Sequence, residues 1–188
     1  MTEDSNGKSK MLLMGLDNAG KTSIVLSLKG HTNLMEFRGV EPTKKIEINE
    51  VLMENKKWII WDFGGQKRYR DEYLEELRNK NRNYFQNTDK IMYVIDVRDK
   101  KRYGVALDYL DSIVRLLEDQ DRVLDFSVFL HKYDPGIEEI NEFKTPVIQE
   151  ELVKKIKDII PPNFVKKFFK TSIYTVFSKA FFKSPSES

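Results

Sequence analysis

The chain has 188 residues, 40% hydrophobic and 33% charged, which is enough for one well-packed domain and short for two. Its 32 basic and 30 acidic side chains leave a net charge of +2, so the overall field gives no pull toward nucleic acid, and none is expected as a partner. Cysteine is absent, which excludes disulfides, thiolate metal sites and sulfur-linked lipid.

The first residues, "MTEDSNGKSK", are polar, and positions 1–9 are expected to form a flexible arm. They lack the charged-then-apolar character of a leader, and Thr2 stands where N-myristoylation needs glycine, so a cytoplasmic location is expected. No apolar stretch approaches the roughly 20 residues that span a bilayer. Membrane contact, if any, would be peripheral.

"KMLLM" is too short for a helix and suits a buried strand. After Gly20, Ile24, Val25 and Leu28 recur at helical spacing, and Gly30 is a natural stop. Residues 31–43 show little periodicity and contain Gly39 and Pro42, which predicts a loop. "KKIEINE" and "KKWIIWD" then predict a strand pair, in all expectation a hairpin. Residues 67–85 are charged and partly helical, and "KIMYVIDV" is a further buried strand. A helix over 102–119 places Ala106, Leu110, Ile113, Val114 and Leu117 on one face. "DFSVFLH" follows as a strand, then a helix over 147–160 stopped by Pro161 and Pro162, then the strand "VKKFFKTS". Ile173, Val176, Phe177, Ala180 and Phe181 form a last helical stripe, a core-packing face, and 184–188 is expected to be a disordered tail. Alternating strands and helices predict an α/β sandwich around a mostly parallel six-stranded sheet with helices on both faces.

Gly15, Gly20, Lys21 and Thr22 satisfy GxxxxGK[ST] between a predicted strand and a predicted helix. Glycines let backbone amides point at phosphate oxygens, Lys21 would reach the terminal phosphates, and the Thr22 hydroxyl would bind Mg²⁺. The bland alternative is a plain glycine turn.

In "WDFGGQ", Asp62 ends an apolar strand, where ligands of open parallel sheets bind, and could hold Mg²⁺ through water. Gly64 and Gly65 allow the chain to swing and offer an amide to a γ-phosphate, and Gln66 can orient an attacking water. In "HKYD", Asp134 can accept hydrogen bonds from N1 and N2 of guanine while the Lys132 stem lies on the base. Adenine offers no such donor pair. In "KTSIY", Ser172 could present its amide to guanine O6, with Ile173 beside it.

These elements in this order resemble the Ras superfamily of small GTPases, over about positions 10–183. "MGLDNAGKTS", "WDFGGQ" and "NYFQNTD" are similar to the Arf branch, whereas "FSVFLHKYD" and "KTSIY" are more like the Rag GTPases. The resemblance implies a P-loop NTPase fold and a small GTPase domain spanning 10–183. It also implies that Gly15, Leu16, Asp17, Asn18, Ala19, Gly20, Lys21 and Thr22 hold the phosphates of GTP or GDP. Thr22 and Thr43 would ligate Mg²⁺, Gln66 would be catalytic, and His131, Lys132 and Asp134 would hold guanine. His131 stands where asparagine is common in the family.

Slow intrinsic hydrolysis is implied, with no internal arginine assignable as a finger. An exchange factor, a GTPase-activating protein and effectors are therefore expected partners. Residues 67–83 make a longer segment than the Arf equivalent, so its surface is expected to recognise something different. The alternatives are a hydrolysis-poor scaffold acting through a Rag-like GTPase dimer and an ATP-dependent P-loop kinase, which Asp134 disfavours. The lysine-rich stretch from Lys154 to Lys183 is read chiefly as a solvated face.

Overall fold

The apolar runs become the centre of one sheet in the computed structural model, whose described residues are 8–31, 34–79, 84–118 and 124–174. Strands β1 (Ser9–Gly15), β2 (Ile46–Met53), β3 (Lys56–Phe63), β4 (Lys90–Asp96), β5 (Asp125–His131) and β6 (Val165–Lys170) lie in the order β2-β3-β1-β4-β5-β6. Only β2 runs antiparallel to its neighbour. The two residues joining β2 to β3, Glu54 and Asn55, both have positive φ (50° and 60°), the backbone a tight hairpin turn needs to match strand twist.

Alternation within β1 explains its unbroken apolar run. Met11 and Leu13 face one side, packing with Ile24 and Val25 of α1 (Lys21–Leu28), Ile60 and Met92. Leu12 and Met14 face the other side, against Ile91, Phe126 and the helices there. Those helices are α3 (Lys67–Arg78), α4 (Tyr103–Glu118), α5 (Thr145–Ile148) and α6 (Lys154–Ile159), with α2 (Leu34–Arg38) a single turn before β2. Leu110, Ile113 and Leu117 of α4 and Leu152 and Ile156 beyond it are at most 1% exposed.

The expected loop over 31–43 contains α2, built from good helix formers and closed where Gly39 N–H donates to Met35 C=O. Met35 is 67% exposed and Phe37 only half-buried, so among the described residues α2 shows no buried stripe that would give a periodic signal. The helix expected over 147–160 starts at Thr145, with Pro146 in its first turn, and passes through a π turn at Gln149–Val153. Ile160 is already extended, as the following Pro161 requires. Of the arm expected over 1–9, residues 1–7 lie outside the described residues, and Ser9 opens β1 opposite Trp58 and is buried. The stripe from Val176 to Phe181 and the tail at 184–188 lie outside the described residues.

Leu110 is fully buried beneath the sheet. Leu110→Ala is expected to cost about 2–5 kcal/mol in chemical denaturation, and a loss below about 1 kcal/mol would contradict its place at the centre of the core.

Candidate functional site

The loop after β1 turns on two left-handed residues, Asn18 (φ 57°) and Gly20 (φ 92°), and delivers the chain into α1 at Lys21. Glycine is required at position 20 for a second reason: a Cβ there would lie 2.4 Å from the His131 ring. His131 ends β5 buried behind this loop, with Nδ1 2.9 Å from Thr171 Oγ1. No residue of the first turn of α1 is itself acidic.

Lys21 is only 5% exposed and folds back, its Nζ donating to Leu16 C=O at 2.8 Å and Gly15 C=O at 3.2 Å. Burial lowers its ammonium to about 8, with Asp62 and Asp17 opposing the drop.

Three oxygen-bearing side chains converge beside it. Thr22 Oγ1 donates to Asp62 Oδ2 at 2.7 Å and lies 2.9 Å from Thr43 Oγ1, which is itself 3.3 Å from the same carboxylate oxygen. Asp62 is fully buried, and burial raises its carboxyl above the usual value. Its Oδ1 is the one buried side-chain atom without a hydrogen-bond partner among the described residues. Two hydroxyls and a half-satisfied carboxylate form an oxygen donor set that suits a hard divalent cation such as Mg²⁺.

A groove of about 270 Å³ opens over this cluster, with Asp17, Asn18 and Lys21 on one wall, Phe37, Pro42 and Thr43 on another, and Gly65 and Gln66 on a third. Gln66 caps α3, its carbonyl accepting from Tyr69 and Arg70 N–H, and it lines the groove. Gly65 C=O accepts Asp17 N–H at 3.0 Å, which ties this loop to the first.

The residues expected to read a base lie past the ends of β5 and β6. Lys132, left-handed at φ 60°, sends its Nζ to Asn18 C=O at 2.7 Å and to Asp96 Oδ2 at 2.7 Å. Asp134 accepts from the Ser172 hydroxyl and lies 3.3 Å from Arg98 Nη1. Ile173 turns its side chain into the core layer under α1. Asp134, Lys132 and the glycine loop are thus brought together across 114 residues by one lysine.

Two arginines at the site went unforeseen. Arg102 grips the loop from outside, with Nη1 3.0 Å from Asp17 Oδ1 and Nη2 3.2 Å from Asp17 C=O. Arg70, 9% exposed, donates from Nε to Gly65 C=O at 3.0 Å and lies 5.1 Å from the Tyr109 ring centroid. Tyr69, Arg70 and Tyr73 form the buried face of α3, so a charged residue on a helical stripe was the available signal.

In the lysine-rich stretch, Lys154 pairs with Glu150, Lys167 with Asp125 and Lys170 with Glu138. Among the described residues no helix is long and apolar enough to cross a membrane.

A parallel sheet with one reversed edge strand, a glycine loop after β1 and a buried aspartate ending β3 define a small P-loop GTPase fold. Residues 10–183 match the Gtr1/RagA G protein conserved region, and the chain belongs to that family. It is also 34% identical over 132 residues to ADP-ribosylation factor 3 of Arabidopsis thaliana, covering 70% of this chain and 65% of that protein. ADP-ribosylation factor-like protein 3 of Chlamydomonas reinhardtii is 33% identical over 128 residues, covering 68% of this chain and 64% of that one. The matches thus span slightly under two thirds of these relatives. Among solved structures, the Arl6 BBS3 small GTPase of Trypanosoma brucei, with bound nucleotide analogue GppNp, has a TM-score of 0.65 at 18% identity, over 88% of this chain and 87% of that chain. That likeness is one of fold.

Two outcomes follow from the geometry. Gly20→Ala should destabilise by about 1–3 kcal/mol through its positive φ. Joined to His131→Ala, the total loss should fall short of the sum by at least about 0.5 kcal/mol, and strict additivity would contradict the packing.

Glu138 accepts from Lys170, Thr145 and Tyr133 beside the loop that follows β5, and these partners, Lys170 foremost, hold its carboxyl down to about 2 from the usual 4.5. Its stabilisation is present above about 4.5 and lost as pH falls toward 2. The melting-temperature advantage of wild type over Glu138→Gln should therefore shrink across that window, and a constant difference would contradict the assignment.

Proposed function

We propose that the chain is a guanine-nucleotide switch that binds GTP and GDP with Mg²⁺ and hydrolyses GTP slowly. The observation that carries this reading is the meeting of the Asp62 carboxylate with Thr22 and Thr43 at a groove that these two threonines and Lys21 line, with Asp62 Oδ1 left without a protein partner. Thr22 and Thr43 would hold Mg²⁺ directly and Asp62 through water; the ion supplies neutralisation of charge on the β- and γ-phosphate oxygens.

The Lys21 ammonium is turned toward backbone carbonyls, and phosphate oxygens are better partners for it than those carbonyls. Gln66, on the third wall of the groove, would orient the water that attacks the γ-phosphorus in line. Asp134 would read guanine N1 and N2, with the Lys132 stem on the base, Ser172 holding the carboxylate, and His131 acting from behind through Gly20. Asp17 and Gly65 are joined by a hydrogen bond, so γ-phosphate contacts made by either loop would be felt by the other. An exchange factor, a GTPase-activating protein and effectors complete such a cycle, in the cytoplasm.

Titration calorimetry with Mg²⁺ is expected to show GTP and GDP binding at least 10²-fold tighter than ATP and ADP, and Asp134→Ala to abolish most of that preference. Equal affinity for the two bases would overturn the guanine assignment. In single-turnover assays, Gln66→Leu should slow γ-phosphate release on the order of 10²-fold while leaving GTP affinity near wild type; equal rates would remove the catalytic role of Gln66.

A further inference from the structure

Thr43 lies in the segment before β2, Asp62 stands near the end of β3 just before a second loop, and the residue that joins these two segments is Lys45. It has a left-handed backbone, φ 58°, unusual for a side chain of this size and a mark of conformational strain at switch regions. Its carbonyl accepts two hydrogen bonds, from Gly64 N–H at 2.7 Å and from the Tyr73 hydroxyl at 2.6 Å. Its ammonium pairs with Glu72 at 3.0 Å, one residue before Tyr73.

The contact at Gly64 is close: a Cβ there would lie 2.4 Å from Thr43 C=O and 3.0 Å from Lys45 C=O. Tyr73 is 2% exposed and held edge-on by Phe63, 5.0 Å away, and by Tyr84, 6.0 Å away. Its hydroxyl is therefore aimed by rigid packing, and burial keeps it protonated as a donor well above the usual tyrosine range.

We propose that Tyr73 is a positioning residue that couples the two nucleotide-sensing loops, its hydroxyl holding the Lys45 carbonyl where Thr43 reaches Thr22 and Asp62. The inference rests on the guanine-nucleotide reading of the groove and adds the device that makes one loop report on the other. Thr43 is two residues from Lys45, and Gly64 is two residues from Asp62. Fixing the Lys45 carbonyl therefore fixes both approaches to the oxygen cluster. A triphosphate with Mg²⁺ that draws Thr43 onto the cluster favours the latched arrangement, and by linkage the latch favours the triphosphate over the diphosphate.

Tyr73→Phe keeps the aromatic cluster and deletes only the donor. Displacement of a fluorescent guanine nucleotide, across a range of Mg²⁺ concentrations, should show a loss of affinity of about five- to tenfold for a non-hydrolysable GTP analogue, the size of one buried hydrogen bond. GDP affinity should stay within about twofold, and the Mg²⁺ midpoint for retaining the analogue should rise by a factor similar to the affinity loss. Equal losses for both nucleotides would make Tyr73 a packing residue only, and no loss for either would overturn the coupling.

Wild-type protein carries an independent arm. Hydrogen exchange at the Gly64 amide, which shares the Lys45 carbonyl, should be slower with the analogue and Mg²⁺ than with GDP, and equal exchange would overturn the latch. Failure of the wild type to bind any guanine nucleotide would instead defeat the underlying reading of the groove, so the two failures are distinguishable.

Discussion

A fully buried carboxylate at the end of a strand is costly unless it is hydrogen-bonded, and Asp62 is only half satisfied. Much of the surrounding architecture can be understood as bringing partners to it. Parallel pairing of β1 with β3 in the register Leu13 to Asp62 sets the strand end beside the glycine loop, so that Thr22 in the first turn of α1 reaches Oδ2. The two-residue turn at Glu54 and Asn55 folds β2 back in the register Glu47 to Asp62, which carries Thr43 over the same oxygen. A slip of one residue in either ladder would turn the carboxylate or the hydroxyl to the opposite face.

The glycine loop is held by distant cations as well as by its own glycines. Lys132 reaches Asn18 from the end of β5, Arg102 reaches Asp17 from the turn that leads into α4, and Arg70 of α3 holds the Gly65 carbonyl that accepts from Asp17. Each contact joins a different part of the fold to one turn. The backbone shape of the loop is consequently overdetermined, in the way that left-handed residues at functional sites require. His131 belongs to the same logic. A ring pressed against Gly20 supports the loop by packing.

Much of the site is legible in the amino-acid sequence because its chemistry is local. The run from Gly15 to Thr22 has a backbone requirement, an anion-binding helix start and two specific side chains within eight positions. Asp62 and Asp134 announce themselves as acidic residues at or just past the ends of apolar strands. Elements that leave no trace are those with no periodic signal: α2 shows no buried stripe among the described residues, the π turn at Gln149–Val153 interrupts an otherwise helical run, and Arg102 meets a residue 85 positions away.

The sequence by itself determined the alternation of strands and helices, the phosphate-type glycine loop and the identity of the residues that could read a base. Backbone conformation and strand burial follow from composition within a few neighbouring residues, so these were recoverable. The tertiary structure alone decided that Thr22 and Thr43 share one carboxylate oxygen of Asp62, that His131 lies behind Gly20, and that Lys45, Gly64 and Tyr73 meet at one carbonyl. Those facts depend on strand register and on close approaches between segments far apart in the chain, and register is a property of the assembled sheet that no single segment contains.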